Sequence, residues 1–286
     1  MKVFLIILFV FFNSGLGAME WPVGEDAVLV QNFGFNNKGR PVLGTVFEGE
    51  GGIKAVEGGE IVFSITGKEK ANRVPSPLGN WSAVDHGNGL LSIYSRYEEG
   101  SLTEQSSVAK GSEIASLGTS GFSGSSGLYF ILYDYRERRW VNPSLIITHF
   151  EDSVPPQISG IQLFNASGRL METSGLRNLS QGMYKIRVNI FDTLSETRRT
   201  QLAPYRIICS VNGEEAGTLT LDTISAVDGT LMVNRNGLWP VKNIYEAFPG
   251  FEAAEVQLIR GLVMLEIIAM DISGNSRSTL TRLNVE

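Results

Sequence analysis

GTSGFSGSSGLYFILY, residues 118–133, decides the class of the fold. A glycine-serine run first turns the chain. A short, continuous run of apolar and aromatic residues follows directly, which is the pattern of a turn feeding a buried strand. The same pattern recurs along the chain. Before it come AVLVQNF (27–33), EIVFSI (60–65), SAVDHG (82–87) and LLSIYSRY (90–97). After it come ISGIQLF (158–164), YKIRVNIFD (184–192), YRIICSV (205–211), TLTLDTI (218–224), LVMLEIIAMD (262–271) and STLTRLNV (278–285). In YKIRVNIF, Tyr184, Ile186, Val188 and Ile190 alternate onto one face, the period of a strand. Only NIYEAF (243–248) reads as a short helix. The fold class expected is all-β.

The chain has 286 residues, 43% of them hydrophobic and 19% charged. Such a composition is globular, and the length suggests two domains. The break falls in HFEDSVPPQISG, where acidic residues and Pro155-Pro156 interrupt the strands. Consecutive prolines do not fit inside a paired central strand. The expected organisation is residues 19–150, a linker at 151–157, and a second domain at 158–286.

The second domain has several short strands separated by turn signals, the spacing of a two-sheet sandwich. Its end, IIAMDISGNSRSTLTRLNV, resembles the closing hairpin of immunoglobulin-like modules in bacterial surface proteins. Within the DISGN turn, Asp271 and Asn275 read first as turn-forming side chains. Calcium ligation is the alternative reading.

Residues 1–18, MKVFLIILFVFFNSGLGA, hold one lysine, an apolar run from Val3 to Phe12, and then small residues. That is the layout of a secretory signal peptide. The run is about half of the ~20 residues that a membrane span needs. No membrane span is expected after signal removal. The net charge is −6 without a marked Lys/Arg cluster, which argues against a nucleic-acid partner. The single cysteine, Cys209, lies in an apolar run and reads as core filler. An exported protein without an internal disulfide suits a bacterial periplasm or cell envelope.

The first domain carries a series of further segments. WPV (21–23), QNFG (31–34), PVLGTVF (41–47), IKAVEGGEIVF (53–63), VDHGNGLLSIYSRY (84–97), VAKGSEIASLGTSGFSG (108–124) and WVNPSLI (140–146) follow one another in that order. Together, from about Trp21 to Pro143, they resemble the lysostaphin/LytM-type zinc peptidases of bacterial cell walls. The resemblance implies an antiparallel β-sheet domain of the lysostaphin kind. Active relatives hold one zinc with two His and one Asp, in a His-x-Gly-x-Asp segment and a His-x-His strand. At those three ligand positions the resemblance sets Val42, Val46 and Tyr129. At the two further histidines that steer water and stabilise the transition state it sets Arg96 and Gly127.

Zinc requires lone pairs from imidazole, carboxylate or thiolate, and valine has none. A tyrosine could ligate only as phenolate, against an ordinary pKa of about 10. Arginine stays protonated and cannot act as a base. The chain has only two histidines, His86 and His149. His86 falls in DHGNG, which matches a family position that is not a ligand, and His149 lies beside the linker. An all-carboxylate set from Glu48, Glu50 and Asp134 would suit calcium or magnesium; solvated surface carboxylates are the plainer reading.

The resemblance thus implies no metal, no cofactor and no catalytic residue: a pseudoenzyme on a peptidase scaffold. Arg96, Tyr94 and Tyr129 are the candidate contacts of its groove. Degenerate family members bind peptidoglycan or bind and regulate a cell-wall hydrolase, and these are the partners expected. Two alternatives remain: a structural envelope protein, and an active metalloendopeptidase with an unorthodox site.

Overall fold

The computed structural model describes residues 19–67, 76–148, 150–171, 178–197, 200–245 and 250–286. The expected signal peptide (1–18), most of the polar loop KEKANRVPSPLGNW and His149 lie outside the described residues. The chain is nearly all β, and the one α-helix among the described residues is Val241–Tyr245.

In the first unit the strand opened by the quoted stretch, Gly127–Asp134, is central. One edge pairs antiparallel with Leu90–Ser95. The other pairs with Thr45–Glu48 at its start and with Arg139–Val141 at its end. Beyond Leu90–Ser95 the sheet continues through Trp81–Asp85 to Gly59–Ile65. Leu128, Phe130 and Leu132 point alternately into a core shared with Phe47, Ile53, Tyr94 and Ile114, all essentially inaccessible to solvent. This alternation is why an apolar run after a glycine-serine turn becomes a strand here. Its side chains have a buried face to fill, and each fully buried one contributes about 1.5–3 kcal/mol.

Two glycines are set by close backbone contact. A Cβ on Gly44 would lie 2.1 Å from the carbonyl oxygen of Phe130, and one on Gly127 would lie 2.0 Å from that of Phe47. Neither position admits a side chain without moving the neighbouring strand.

The second unit is two sheets around one core. One sheet runs through Ser276–Val285, Gly261–Met270, Arg206–Val211 and Glu214–Val227. The other contains Gln157–Asn165, Gly182–Phe191 and Phe251–Leu258. Tyr184, Ile186, Val188 and Ile190 are all buried against Ile207, Leu219, Leu265 and Ile267 of the facing sheet. Cys209 is buried in the same core.

The two units share backbone pairing. Arg139–Val141 pairs antiparallel with Thr223–Ser225 of the long strand Glu214–Val227, so one sheet runs through both. Side chains cross in both directions. Asn32 donates to Ala203 O at 2.9 Å and accepts from Ala203 N at 2.7 Å. Asn142 Nδ2 donates to Leu221 O at 2.8 Å, and the Tyr245 hydroxyl donates to Gly34 O at 2.9 Å. Phe33 of the first unit is part of the second unit's core, and Leu202 of the second is part of the first unit's. The Pro-Pro segment is therefore one of several connections between the units.

Candidate functional site

The pairing register places the family-motif positions together. Tyr129 stands opposite Val46 on one side and opposite Ser95 on the other. Its hydroxyl accepts the backbone N–H of Leu43, next to Val42, at 3.1 Å. The Arg96 guanidinium carbon lies 5.4 Å from the Tyr129 ring centroid, within the range of a cation–π contact. Val42 and Val46 are buried. The fold thus gathers Val42, Val46, Tyr129 and Arg96 into one place.

Burial sets the electrostatics of that place. Burial pushes the Tyr129 phenol above its ordinary value, against the pull of the Leu43 N–H and of Arg96, so the group is neutral at physiological pH. Burial also pulls the Arg96 guanidinium below its ordinary value, opposed by Tyr129 and Glu48. Arg96 sits at φ 75°, in the left-handed region, where a non-glycine residue is strained. Its N–H is shared between Leu78 O at 3.0 Å and Asn80 O at 2.8 Å. These bonds hold Arg96 over Tyr129.

Tyr94 is not a groove contact. It is fully buried, packs its ring at a tilt 5.3 Å from that of Phe130, and turns its hydroxyl inward to accept from Val56 N at 2.9 Å and Ser92 Oγ at 3.0 Å. Strand alternation is the cause: Tyr94 lies opposite Phe130 on the core face. Burial pushes its phenol up to about 12.

The same polar chain takes up His86. Its Nε2 lies 2.9 Å from Ser92 Oγ and its Nδ1 2.9 Å from Gly58 O, so both ring nitrogens are occupied locally. The carboxylate set does not assemble either. Glu48 stands opposite Gly127 while Asp134 ends the same strand, roughly 20 Å away at strand spacing.

A cleft of about 730 Å³ lies beside these residues, lined by Glu50, Asn80, Glu98, Glu99, Thr119 and Ser120 among others. Its wall includes the glycine-serine turn and the stretch just after Arg96, but neither Arg96 nor Tyr129. Carboxylates and hydroxyls dominate it, which suits a polar ligand rich in N–H and O–H groups. The sequence points to the turn and to Glu50 but not to Glu98 and Glu99, whose only signal is their pairing immediately after the DHGNG strand.

Residues 42–143 match the model of peptidase family M23, and a second family model spans residues 155–286. The first match lies wholly within the first unit. No curated protein matches this chain. Among solved structures, lysostaphin from Staphylococcus simulans is 15% identical, over 87% of this chain and 85% of that one, at a TM-score of 0.32. The catalytic domain of the prophage-encoded M23 protein EnpA from Enterococcus faecalis is 18% identical, over 41% and 88%, at a TM-score of 0.35. The SpoIIQ–SpoIIIAH pore-forming complex is 17% identical, over 46% and 90%, at a TM-score of 0.36.

Proposed function

We propose that this is a non-catalytic M23 protein of the bacterial periplasm or envelope, which binds peptidoglycan or binds and regulates a cell-wall hydrolase. The reading divides it into an M23-type domain at 19–150, a connecting segment at 151–157 and an immunoglobulin-like sandwich at 158–286. One observation carries it. The place where the family resemblance puts zinc is occupied by a neutral tyrosine, hydrogen-bonded to Leu43 and covered by Arg96. Valines at the other two ligand positions pack without a metal. A histidine and an aspartate there would be left without partners, a cost of about 1–3 kcal/mol each or more for the charged group. Arg96 and Tyr129, with the adjoining acidic cleft, are the contacts this reading assigns to the partner.

The test is bound-metal analysis of purified protein together with cleavage of labelled sacculi, with and without added Zn²⁺. Absence of zinc and of cleavage is expected, with retention on sacculi or on an envelope hydrolase. Stoichiometric zinc with cleavage overturns the reading in favour of a metalloendopeptidase with an unorthodox site.

The continuous sheet through both units favours a second reading, a structural envelope protein. Under that reading, replacing Arg96 and Tyr129 leaves cell shape and division unchanged and no partner is retained.

A further inference from the structure

Three carboxylates converge where the segment leaving the first unit meets the second. Asp152 lies in that segment, Asp192 directly follows the strand Gly182–Phe191, and Asp271 directly follows Gly261–Met270. One oxygen from each lies within 4.8 Å of the other two. Asp192 is 5% exposed and Asp271 3%.

Their hydrogen bonds are unequal. Asp271 accepts from Asn275 N at 2.9 Å on one oxygen and from Asn275 Nδ2 at 2.8 Å on the other. Asp152 Oδ1 accepts from Val154 N at 2.9 Å. Asn275 Nδ2 also reaches Asp152 O at 3.1 Å, tying the segment to the turn. Asp192 Oδ1, buried, has no partner. Among the described residues no lysine or arginine forms an ion pair with any of the three. The nearby Arg277 directs its Nε to Pro156 O at 3.0 Å. A cavity of about 40 Å³ is lined by Asp152 and Asp192 and by Ile272 and Ser273, the residues that follow Asp271, with room enough beside the three carboxylates for one small ion.

An unpaired buried carboxylate is costly, and three together repel one another. A cation resolves both problems at once. We propose that Asp152, Asp192 and Asp271 form a binding site for a hard divalent cation, calcium in preference to magnesium. Three carboxylate oxygens this close fit around one ion at calcium's ligand distance of about 2.3–2.6 Å, and calcium accepts irregular oxygen sets completed by water. Magnesium requires near-octahedral geometry and keeps most of its water. A bound ion fastens the connecting segment to two strands of the sandwich.

The experiment is a titration of chelator-treated protein with CaCl₂ and, separately, MgCl₂, read by calorimetric binding and by thermal unfolding. D192N and D271N are measured alongside, with E137Q at an exposed hairpin tip as the control. Calcium at millimolar concentration is expected to bind one ion per chain and raise Tm by roughly 5 °C. E137Q should respond like the parent. D192N should fold, because it removes a buried charge, yet lose the response. No calcium binding, or an undiminished response in folded D192N, overturns the site. A magnesium response as large as that to calcium overturns the choice of ion.

Discussion

Tyr129 faces Val46 directly across the antiparallel pair of strands, and its hydroxyl is bound to the backbone one residue beyond Val42. Positions far apart in the chain are thus neighbours in space, as a three-ligand metal site would need. The equivalence is testable by reversal. Val42→His, Val46→Asp and Tyr129→His together are expected to create a site that retains about one zinc per chain through gel filtration, measured by elemental analysis. The variant should still not cleave sacculi. Gly127 cannot take an imidazole while its Cβ would lie 2.0 Å from Phe47 O, and Arg96 cannot accept a proton. No zinc in a folded triple variant would show that these residues do not stand at the ligand positions.

Cys209 offers a prediction in pH. Burial in the core pushes its thiol up to about 12, against a lowering pull from Arg235. The thiolate is the reactive form. The raised value means that folding favours the protonated thiol. The side chain's contribution to stability is therefore unchanged below its ordinary pKa and declines only as pH climbs toward 12. At pH 8 the native protein should be inert to a disulfide thiol reagent over hours, and one equivalent should react at once in denaturant. Rapid labelling of native protein would mean that the core opens readily around Cys209.

Much of this architecture was legible in the sequence, for definite reasons. Tyr184, Ile186, Val188 and Ile190 alternate, and all four are buried. LYFILY follows its turn and forms the central strand of the first unit. Both signals are local, arising from side-chain period and turn chemistry. Tyr94 is expected at the groove from the family resemblance, which carries no information on which face of its strand it takes; alternation puts it on the core face with Ser92. Ser92 is buried with it and hydrogen-bonded to it. The pairing of Arg139–Val141 with Thr223–Ser225 and the meeting of Asp152, Asp192 and Asp271 are long-range. No periodicity records them. Asp271 was legible as a turn former, and it is one, but its second role depends on residues distant in the chain.

That shared sheet has a thermodynamic consequence. Phe33 belongs to the first unit in sequence and to the second unit's core in space, where it is 1% exposed. Phe33→Ala should cost about 3–5 kcal/mol. It should lower the unfolding temperature of the whole molecule rather than split it. Differential scanning calorimetry of the parent protein is expected to give one transition, with calorimetric and van't Hoff enthalpies in agreement. Two resolved transitions, of which Phe33→Ala moves only one, would mean that the units unfold independently despite the pairing.

The last prediction concerns a buried charge pair in the sandwich. Arg235 and Glu252 are 4% and 1% exposed, with Arg235 Nη1 3.2 Å from Glu252 Oε1 and 3.2 Å from Glu252 O. The guanidinium also stacks 4.0 Å from the Trp239 ring centroid. Lys185, largely outside the core, reaches Glu252 Oε2 at 3.3 Å. Removing one member of a buried pair strands the other, which costs about 3–5 kcal/mol. Arg235→Met should fall at the lower end, because Lys185 still neutralises Glu252 in part. Arg235→Met with Lys185→Met should be worse than the sum of the two changes, since Glu252 then keeps neither cation. Arg235→Met with Glu252→Met removes both buried charges and should recover most of the loss. Urea unfolding of these variants decides it. If the Arg235/Glu252 double variant is no more stable than Arg235→Met alone, the pair is held by its contacts with Trp239 and the backbone rather than by charge.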